Sequence, residues 1–371
     1  MDYVLPNELV DGMIAAGGKK STVSVKNLLI RGFYSGAILG LAVILALTVG
    51  ITVKAPFVGS LLFPFGFASI VLFGMELVTG NFALLPMATW AGKSTWGATF
   101  RNWVWVWIGN WIGTAVVAVI MAISLTSGTM DGAADNIGPP IWDAVAQKIM
   151  ALNQINVEKK YEALGSMGFF LAFLRGLVAN WLVCLGVTMA LVSKSVPGKI
   201  LACWLPITAF QSMGMEHIVV NQFLHTAGPI LGSGVPFTKV IFWNFLPVTL
   251  GNIVGGMVFI GMLFYSTHRT PMENVLPTEH DEKLERELAA ELGAVETKPQ
   301  VQEVHHRPGY LDVAGVGKTP VEVFQNHGKM LRCAHWVGQH EGPAPFAHVG
   351  HVAHPFNIEV LHARLQSREG L

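Results

Sequence analysis

The sequence predicts an all-α membrane protein with six transmembrane helices, arranged as a 3+3 inverted repeat whose second and fifth helices are broken. Composition is the first observation behind this prediction: 52% of the 371 residues are hydrophobic, only 13% are charged, and the mean hydropathy is +0.48. A soluble domain carries about 25% charged residues, so this composition indicates a chain that lies in membrane lipid. The formal net charge of zero excludes a protein that binds nucleic acid through a basic surface, and we expect no nucleic-acid partner.

The second observation is that charge divides the chain near residue 267. Residues 1–266 carry 14 Lys and Arg against 10 Asp and Glu, whereas the rest of the chain carries 10 against 14. We therefore expect a cytoplasmic N-terminal segment over 1–26, a transmembrane domain over 27–267, and a polar, His-rich and largely disordered cytoplasmic tail over 268–371.

The spacing of charges predicts the spans in order. Four stretches with at most one charge reach the length of about 20 residues that a helix needs to cross a bilayer. They are 32–53, 102–130, 163–193 and 240–267. Two further stretches, 55–92 and 200–238, hold one charge each, Glu76 and Glu216, and are too long for a single span. Because both contain Gly and Pro, we expect each to form a helix that is broken near the middle of the membrane.

Basic residues in the connections predict the orientation. They lie before the first span, between the second and third spans, and between the fourth and fifth: Lys19, Lys20, Lys26, Arg31, Lys93, Arg101, Lys194 and Lys199. The positive-inside rule assigns these connections to the cytoplasm. We expect a multi-pass protein of the plasma membrane, with an organelle membrane as the alternative, and with both termini in the cytoplasm.

An internal repeat is the third observation. Gly74-Met75-Glu76, followed by Asn81, recurs 140 residues later as Gly214-Met215-Glu216, followed by Asn221. The order continues at an offset of 142 with Asn102 and Gly109-Asn110, which recur as Asn244 and Gly251-Asn252. Each repeat holds three spans, an odd number, so the second copy is inverted in the membrane. Inverted repeats of this kind place a permeation site between the broken helices.

Ionisable residues at the breaks are the candidate functional groups. His217 follows Glu216 directly, and an imidazole at membrane depth is costly and able to exchange protons near neutral pH. The alternative for His217 is a structural bond to a free carbonyl of the broken helix. For Glu76 and Glu216 we expect structural charges, paired with freed N–H groups or with basic partners such as Lys26 and Arg31, rather than proton carriers.

Phenylalanine residues precede both breaks: Phe63 and Phe67 before the first, Phe210 before the second. A bare anion loses several kcal/mol on entering such an apolar constriction, whereas a neutral acid loses far less. The N-termini of the broken helices attract anions. The pattern therefore suits weak-acid anions that are protonated in transit.

Several motifs resemble one family. The run from Phe63-Pro64-Phe65-Gly66-Phe67 to Gly74–Asn81 resembles the first signature of the formate/nitrite transporter family, and Gly214–His217 with Asn221 resembles the second. Asn180–Leu185 and Leu246–Asn252 resemble two more family segments, and the resemblance covers about 1–266. It implies an aquaporin-like homopentamer with a pore in each protomer. The pore would conduct protons and small monovalent anions, nitrite or formate first, with bicarbonate or lactate as alternatives.

The resemblance also implies roles for individual residues. His217 matches the central pore histidine, with Thr79 and Asn252 beside it in a proton relay. The constriction positions match Phe63, Phe67, Leu77, Phe210 and Val183. In the family, a vestibule lysine that attracts anions lies about sixteen residues before the asparagine that Asn180 matches. This chain has Leu164 at that position, and we take Lys160 as its replacement after a one-turn insertion.

Two alternatives remain beside transport. A membrane sensor would signal through the tail, where Thr278–Leu292 predicts a short helix and His348, His351 and His354 form a flexible His-rich segment rather than a metal site. An intramembrane enzyme using His217 and Glu216 is not favoured, because no nucleophile, metal cluster or cofactor motif lies beside them. We expect no enzymatic activity, no metal and no cofactor.

Overall fold

The computed structural model describes residues 3–126 and 140–269, together with residues 325–326 and 329–330. Residues 3–126 and 140–269 form helices joined by turns and short extended segments. The α-helices are α1 (Pro6–Ser21), α2 (Val25–Thr52), α3 (Pro56–Leu62), α4 (Pro64–Leu72), α5 (Val78–Trp90), α6 (Trp96–Leu125), α7 (Pro140–Gln154), α8 (Gly165–Val192), α9 (Val196–Ser212), α10 (Ile218–Ile230), α11 (Phe237–Val240), α12 (Leu246–Gly256) and α13 (Leu263–His268). Three π-helical turns, Ile155–Lys159, Ile241–Phe245 and Met257–Met262, and one 3-10 turn, Glu162–Leu164, join or extend them.

Four helical stretches within the described residues are long and apolar enough to cross a membrane. They are Val25–Thr52, Trp96–Leu125, Pro140–Val192 and Phe237–His268. Their order follows the four uncharged stretches of the sequence, and the prediction of an all-α chain with apolar helices is confirmed for this part.

The two stretches with a single acid each contain helices separated by a turn. The first turn lies between the end of α4 and the start of α5, and the second between α9 and α10. Gly74 and Gly214 occupy equivalent places in these turns, with φ angles of +60° and +62°. A left-handed backbone costs a residue with a Cβ atom roughly 1–2 kcal/mol, so glycine is the residue that ends the helix here.

Two helices lie outside the predicted spans. The first is α1, within the segment expected as a cytoplasmic N-terminus; it packs on α5 and α8 and buries Leu9, Val10, Met13 and Ile14. The second is α7, which packs on α10 and α2. Because α5 and α10 begin after the two breaks, each half of the chain packs an earlier helix, α1 or α7, against the helix that follows its break.

Glycine allows the long helices of each half to approach closely. A Cβ atom at Gly113 of α6 would lie 2.0 Å from the carbonyl oxygen of Phe33 on α2, and one at Gly255 of α12 would lie 2.2 Å from that of Leu177 on α8. Helices in a bilayer associate through such small residues, because lipid supplies no hydrophobic force between them.

The C-terminal part is described at four residues only, in which β1 (Gln325–Asn326) pairs antiparallel with β2 (Lys329–Met330). The predicted helix Thr278–Leu292, the histidines His348, His351 and His354, and nearly all of the predicted disordered tail lie outside the described residues.

Replacing Gly113 by alanine should separate α2 from α6, because the new methyl group overlaps the Phe33 carbonyl. We expect a loss of about 2 kcal/mol in stability, in the range of overpacked cores, and a lower midpoint of thermal unfolding in detergent. Gly12→Ala is the matched control, since its Cβ atom meets nothing within 4 Å. Equal midpoints for the two variants would contradict the packing described.

Candidate functional site

The two helix breaks meet at His217 and Thr79. His217 is the N-cap residue of α10, and its Nδ1 atom accepts a hydrogen bond of 3.3 Å from the backbone N–H of Val220. Its Nε2 atom lies 3.0 Å from Oγ1 of Thr79, in the first turn of α5. Because Nδ1 accepts, the proton of the neutral ring is assigned to Nε2, which donates to the Thr79 hydroxyl. The pair that motif matching brings together is therefore in direct contact.

Asn252 of α12 holds the backbone on both sides of His217. Its Oδ1 atom accepts from the N–H of Ile218 at 2.9 Å, and its Nδ2 atom donates to the carbonyls of Glu216 and Gly176 at 3.1 and 2.7 Å. These three bonds go to backbone atoms, so Asn252 positions His217 through the main chain. Unpaired backbone groups at a broken helix cost several kcal/mol each in a bilayer, and this amide supplies their partners.

Asn110 of α6 makes the equivalent set of bonds at the first break. Its Oδ1 atom accepts from the N–H of Val78 at 3.0 Å, and its Nδ2 atom donates to the carbonyls of Glu76 and Gly32 at 3.0 and 2.8 Å. The first break is thus closed in the same way as the second, by the asparagine that stands 142 residues before Asn252.

Glu76 is buried and forms an ion pair with Lys20. Its Oε1 atom lies 2.9 Å from Nζ of Lys20, and its Oε2 atom accepts from Nδ2 of Asn81 at 2.7 Å. The sequence predicts Lys26 or Arg31 as the basic partner, and the prediction of Lys26 is wrong, because Lys20 forms the pair and Lys26 is exposed. Lys20 reaches the carboxylate since it lies in the last turn of α1, which packs along α5.

Glu216 is buried too, and its main partner is a tyrosine. Its Oε1 atom accepts from the hydroxyl group of Tyr161 at 2.5 Å, and its Oε2 atom accepts from Nδ2 of Asn221 at 2.8 Å. Nζ of Lys160 stands 3.7 Å from Oε1, an ion pair without a hydrogen bond. Leu164, at the motif position of the family lysine, is 52% exposed.

The side chains predicted for a constriction are all buried. The rings of Phe63 and Phe210 meet edge to face with centroids 5.7 Å apart, and Phe210 lies 5.6 Å from the ring of His217. Phe210 therefore contacts both Phe63 and His217. The full set of predicted constriction residues belongs to one buried cluster: Phe63, Phe67, Leu77, Val183 and Phe210.

Asn180 and Cys184 of α8 are site residues to which the sequence analysis gives no role. The carbonyl oxygen of Thr79 accepts from Nδ2 of Asn180 at 3.1 Å and from Sγ of Cys184 at 3.2 Å. The same Nδ2 atom donates to the carbonyl of Asn252 at 2.6 Å. One amide therefore joins the two halves, and a lone asparagine in an apolar span is the signal that could have indicated it.

His225, the other histidine of the transmembrane region, is buried against α7. Its Nδ1 atom lies 3.0 Å from Nδ2 of Asn153 on α7, whose Oδ1 atom accepts from the hydroxyl of Ser233 at 2.7 Å. Over residues 3–126 and 140–269, no group of three or more His, Cys, Asp and Glu side chains is placed to hold a metal ion.

Comparison with known proteins identifies the family. A family model described as formate/nitrite transporter matches residues 7–266. A probable formate transporter of Methanothermobacter thermautotrophicus is 32% identical over 276 residues, an alignment that covers 71% of this chain and 96% of that protein.

Solved structures show the same similarity. An ion channel of the FNT family superposes with a TM-score of 0.58 at 25% identity, covering 71% of this chain and 99% of that chain. A pentameric formate channel with formate bound superposes with a TM-score of 0.50 at 26% identity, covering 65% of this chain and 96% of that one. The resemblance carried by the motifs is confirmed, and the chain belongs to the formate/nitrite transporter family of multi-pass membrane proteins.

Proposed function

We propose that this protein is a channel or transporter for small monovalent weak-acid anions, formate or nitrite first, and that the anion is protonated at His217. The observation that carries the proposal is the contact between His217 and Thr79, buried where the two breaks meet and next to the Phe63–Phe210 ring pair. It combines a proton-exchanging group with an apolar barrier.

Helix ends at the breaks favour an anion there. The helices α5 and α10 both begin at the breaks, directly after Leu77 and His217. The N-terminus of a helix carries a partial positive charge and free N–H groups, so two such ends lower the cost of holding an anion in the bilayer. Apolar side chains around them keep water out and make proton transfer to the anion more favourable than its passage as an ion.

The hydrogen bonds of His217 suggest the order of proton transfer. In the resting site Nδ1 accepts from Val220 and Nε2 faces Thr79. A proton from the aqueous side adds to Nδ1 and displaces the Val220 bond, giving an imidazolium ring. The Nε2 proton then passes to the anion, directly or through the Thr79 hydroxyl, and a neutral ring with its proton on Nδ1 remains. Loss of the Nδ1 proton and gain of one at Nε2, by exchange with water, restore the resting tautomer. The neutral acid crosses the phenylalanine pair and loses its proton on the far side.

The wider architecture is proposed on the same basis. The equivalent bonds of Asn110 and Asn252 support a 3+3 inverted repeat of six helices, aquaporin-like, with the second and fifth broken. A homopentamer is proposed because one similar structure is a pentameric formate channel. We propose a cytoplasmic N-terminal segment over 1–26, a transmembrane domain over 27–267 and a cytoplasmic tail over 268–371. The plasma membrane is the proposed location. Lys160 is assigned to anion attraction.

Replacing His217 by asparagine tests the proton step. Asparagine is a good N-cap residue, so α10 should keep its start while the site loses its titratable ring. We expect proton-coupled formate uptake into liposomes to fall about 100-fold, the lower range for loss of a general acid. Thr79→Ser, which keeps the hydroxyl, should retain most of the flux. Undiminished uptake by the His217 variant would exclude this role.

Shortening Phe210 to alanine tests the barrier. Loss of the ring opens the contact with Phe63 and should admit anions that cannot be protonated at neutral pH. We expect a chloride current in planar bilayers that the wild-type protein lacks, and a weaker dependence of formate flux on external pH. Phe57→Ala is the control, because Phe57 is 57% exposed on α3. A variant that still excludes chloride would show that the barrier lies elsewhere.

A further inference from the structure

The carboxylates at the two breaks are held in different ways. Lys20 and Lys160 stand 140 residues apart in the sequence, as Glu76 and Glu216 do. Lys20 donates directly to Oε1 of Glu76 at 2.9 Å. Oε1 of Glu216 accepts instead from Tyr161 at 2.5 Å, and Lys160 remains 3.7 Å away. A tyrosine hydroxyl therefore occupies the place that an ammonium group occupies in the first half.

Tyr161 is fixed in this position by its surroundings. Its side chain is fully buried, and the backbone of Gly168 packs so closely that a Cβ atom there would lie 1.9 Å from the Tyr161 carbonyl oxygen. Its hydroxyl oxygen accepts from Nη1 of Arg175 at 3.2 Å while its proton goes to Glu216. A hydroxyl between a guanidinium group and a carboxylate makes two charge-assisted hydrogen bonds, which are the stronger kind.

Lys160 is left with a weaker hold. Its ammonium group lies 5.1 Å from the centroid of the Tyr161 ring, and its side chain is 28% exposed. The nearby acids Glu158 and Glu162 are both engaged by Lys239, at 3.1 and 2.8 Å. A cation over a ring face keeps its N–H donors available for another partner.

We propose that Tyr161 is a positioning residue: by holding Glu216, its hydroxyl leaves Lys160 free to bind a small carboxylate or nitrite anion at the mouth of the pore. This inference rests on the proposed transport function and adds a residue to it. Lys160 stays within 3.7 Å of the Glu216 carboxylate, and its N–H donors remain available to the anion, with which they can form charge-assisted hydrogen bonds. Lys20 differs, because its ammonium group already donates directly to Oε1 of Glu76 at 2.9 Å.

The first experiment measures the freedom of Lys160 without transport. The purified full-length protein is acetylated with acetic anhydride, and labelling of Lys160 is quantified by peptide mass spectrometry against the exposed Lys26. Tyr161→Phe should slow Lys160 labelling about threefold, because the ammonium group then pairs with Glu216 in a partly exposed ion pair. Formate should protect Lys160 in the wild type and less so in the variant. Unchanged labelling, or no protection by formate, overturns the proposal.

The second experiment measures formate uptake into liposomes. Tyr161→Phe should raise KM about threefold and leave kcat nearly unchanged, since the effect is that of one surface ion pair. Lys160→Gln should raise KM similarly, and the double variant should be no worse than Lys160→Gln alone. A fall in kcat, or additive losses, would show a merely structural role.

Tyr265→Phe is the matched control, because the Tyr265 hydroxyl also accepts from an arginine, Arg269, but lies in α13. It should change neither labelling nor KM. If the wild-type protein carries no formate while Lys160 responds to Tyr161→Phe and to formate as expected, the proposed transport fails and the positioning by Tyr161 stands.

Discussion

The need to satisfy backbone hydrogen bonds inside a bilayer governs this structure. A helix that stops in mid-membrane exposes N–H and C=O groups, and each would cost several kcal/mol without a partner. Asn110 and Asn252 each bond one N–H and one carbonyl at a break, and one carbonyl of a neighbouring helix, α2 or α8. With those groups paired, the chain can begin α5 and α10 at the two breaks. The two amide side chains offset the free-energy cost of breaking a helix inside the bilayer, and the site depends on them.

The two breaks have the same backbone geometry but different side chains. Leu77 precedes α5 and His217 precedes α10, and their φ and ψ angles are nearly equal, −116° and 119° against −112° and 121°. The first half places an apolar side chain there and the second half an imidazole, which meets Thr79 from the first half. The two breaks thus share one backbone geometry, and the asymmetry between them lies in the side chains. Asn180 adds to that asymmetry, since it bonds both halves from α8.

The sequence was informative where one residue determines a local geometry. Gly74 and Gly214 marked the breaks, and the charges Glu76 and Glu216 drew attention to them. Composition could not indicate that α1 packs along α5, because α1 mixes exposed polar residues with a short buried face and lies outside the apolar spans.

Partners of buried charges were the least predictable part of the site. Lys20 stands 56 residues before Glu76 and is brought near it only by tertiary packing. Tyr161 carries no charge, so a search for cations beside Glu216 passes over it. Family motifs matched His217 and Thr79, which are in contact, because those motifs encode three-dimensional proximity that periodicity does not contain.

The cap on α10 ties the protonation of one ring nitrogen to the order of one turn of helix. The Nδ1 atom of His217 either accepts from Val220 or carries a proton, and it cannot do both. A ring protonated at Nδ1 therefore leaves the Val220 amide without that acceptor, and the amide hydrogen becomes open to exchange with solvent. The exchange of this single amide hydrogen with deuterium would therefore follow the occupation of Nδ1 by a proton, whatever the charge of the ring.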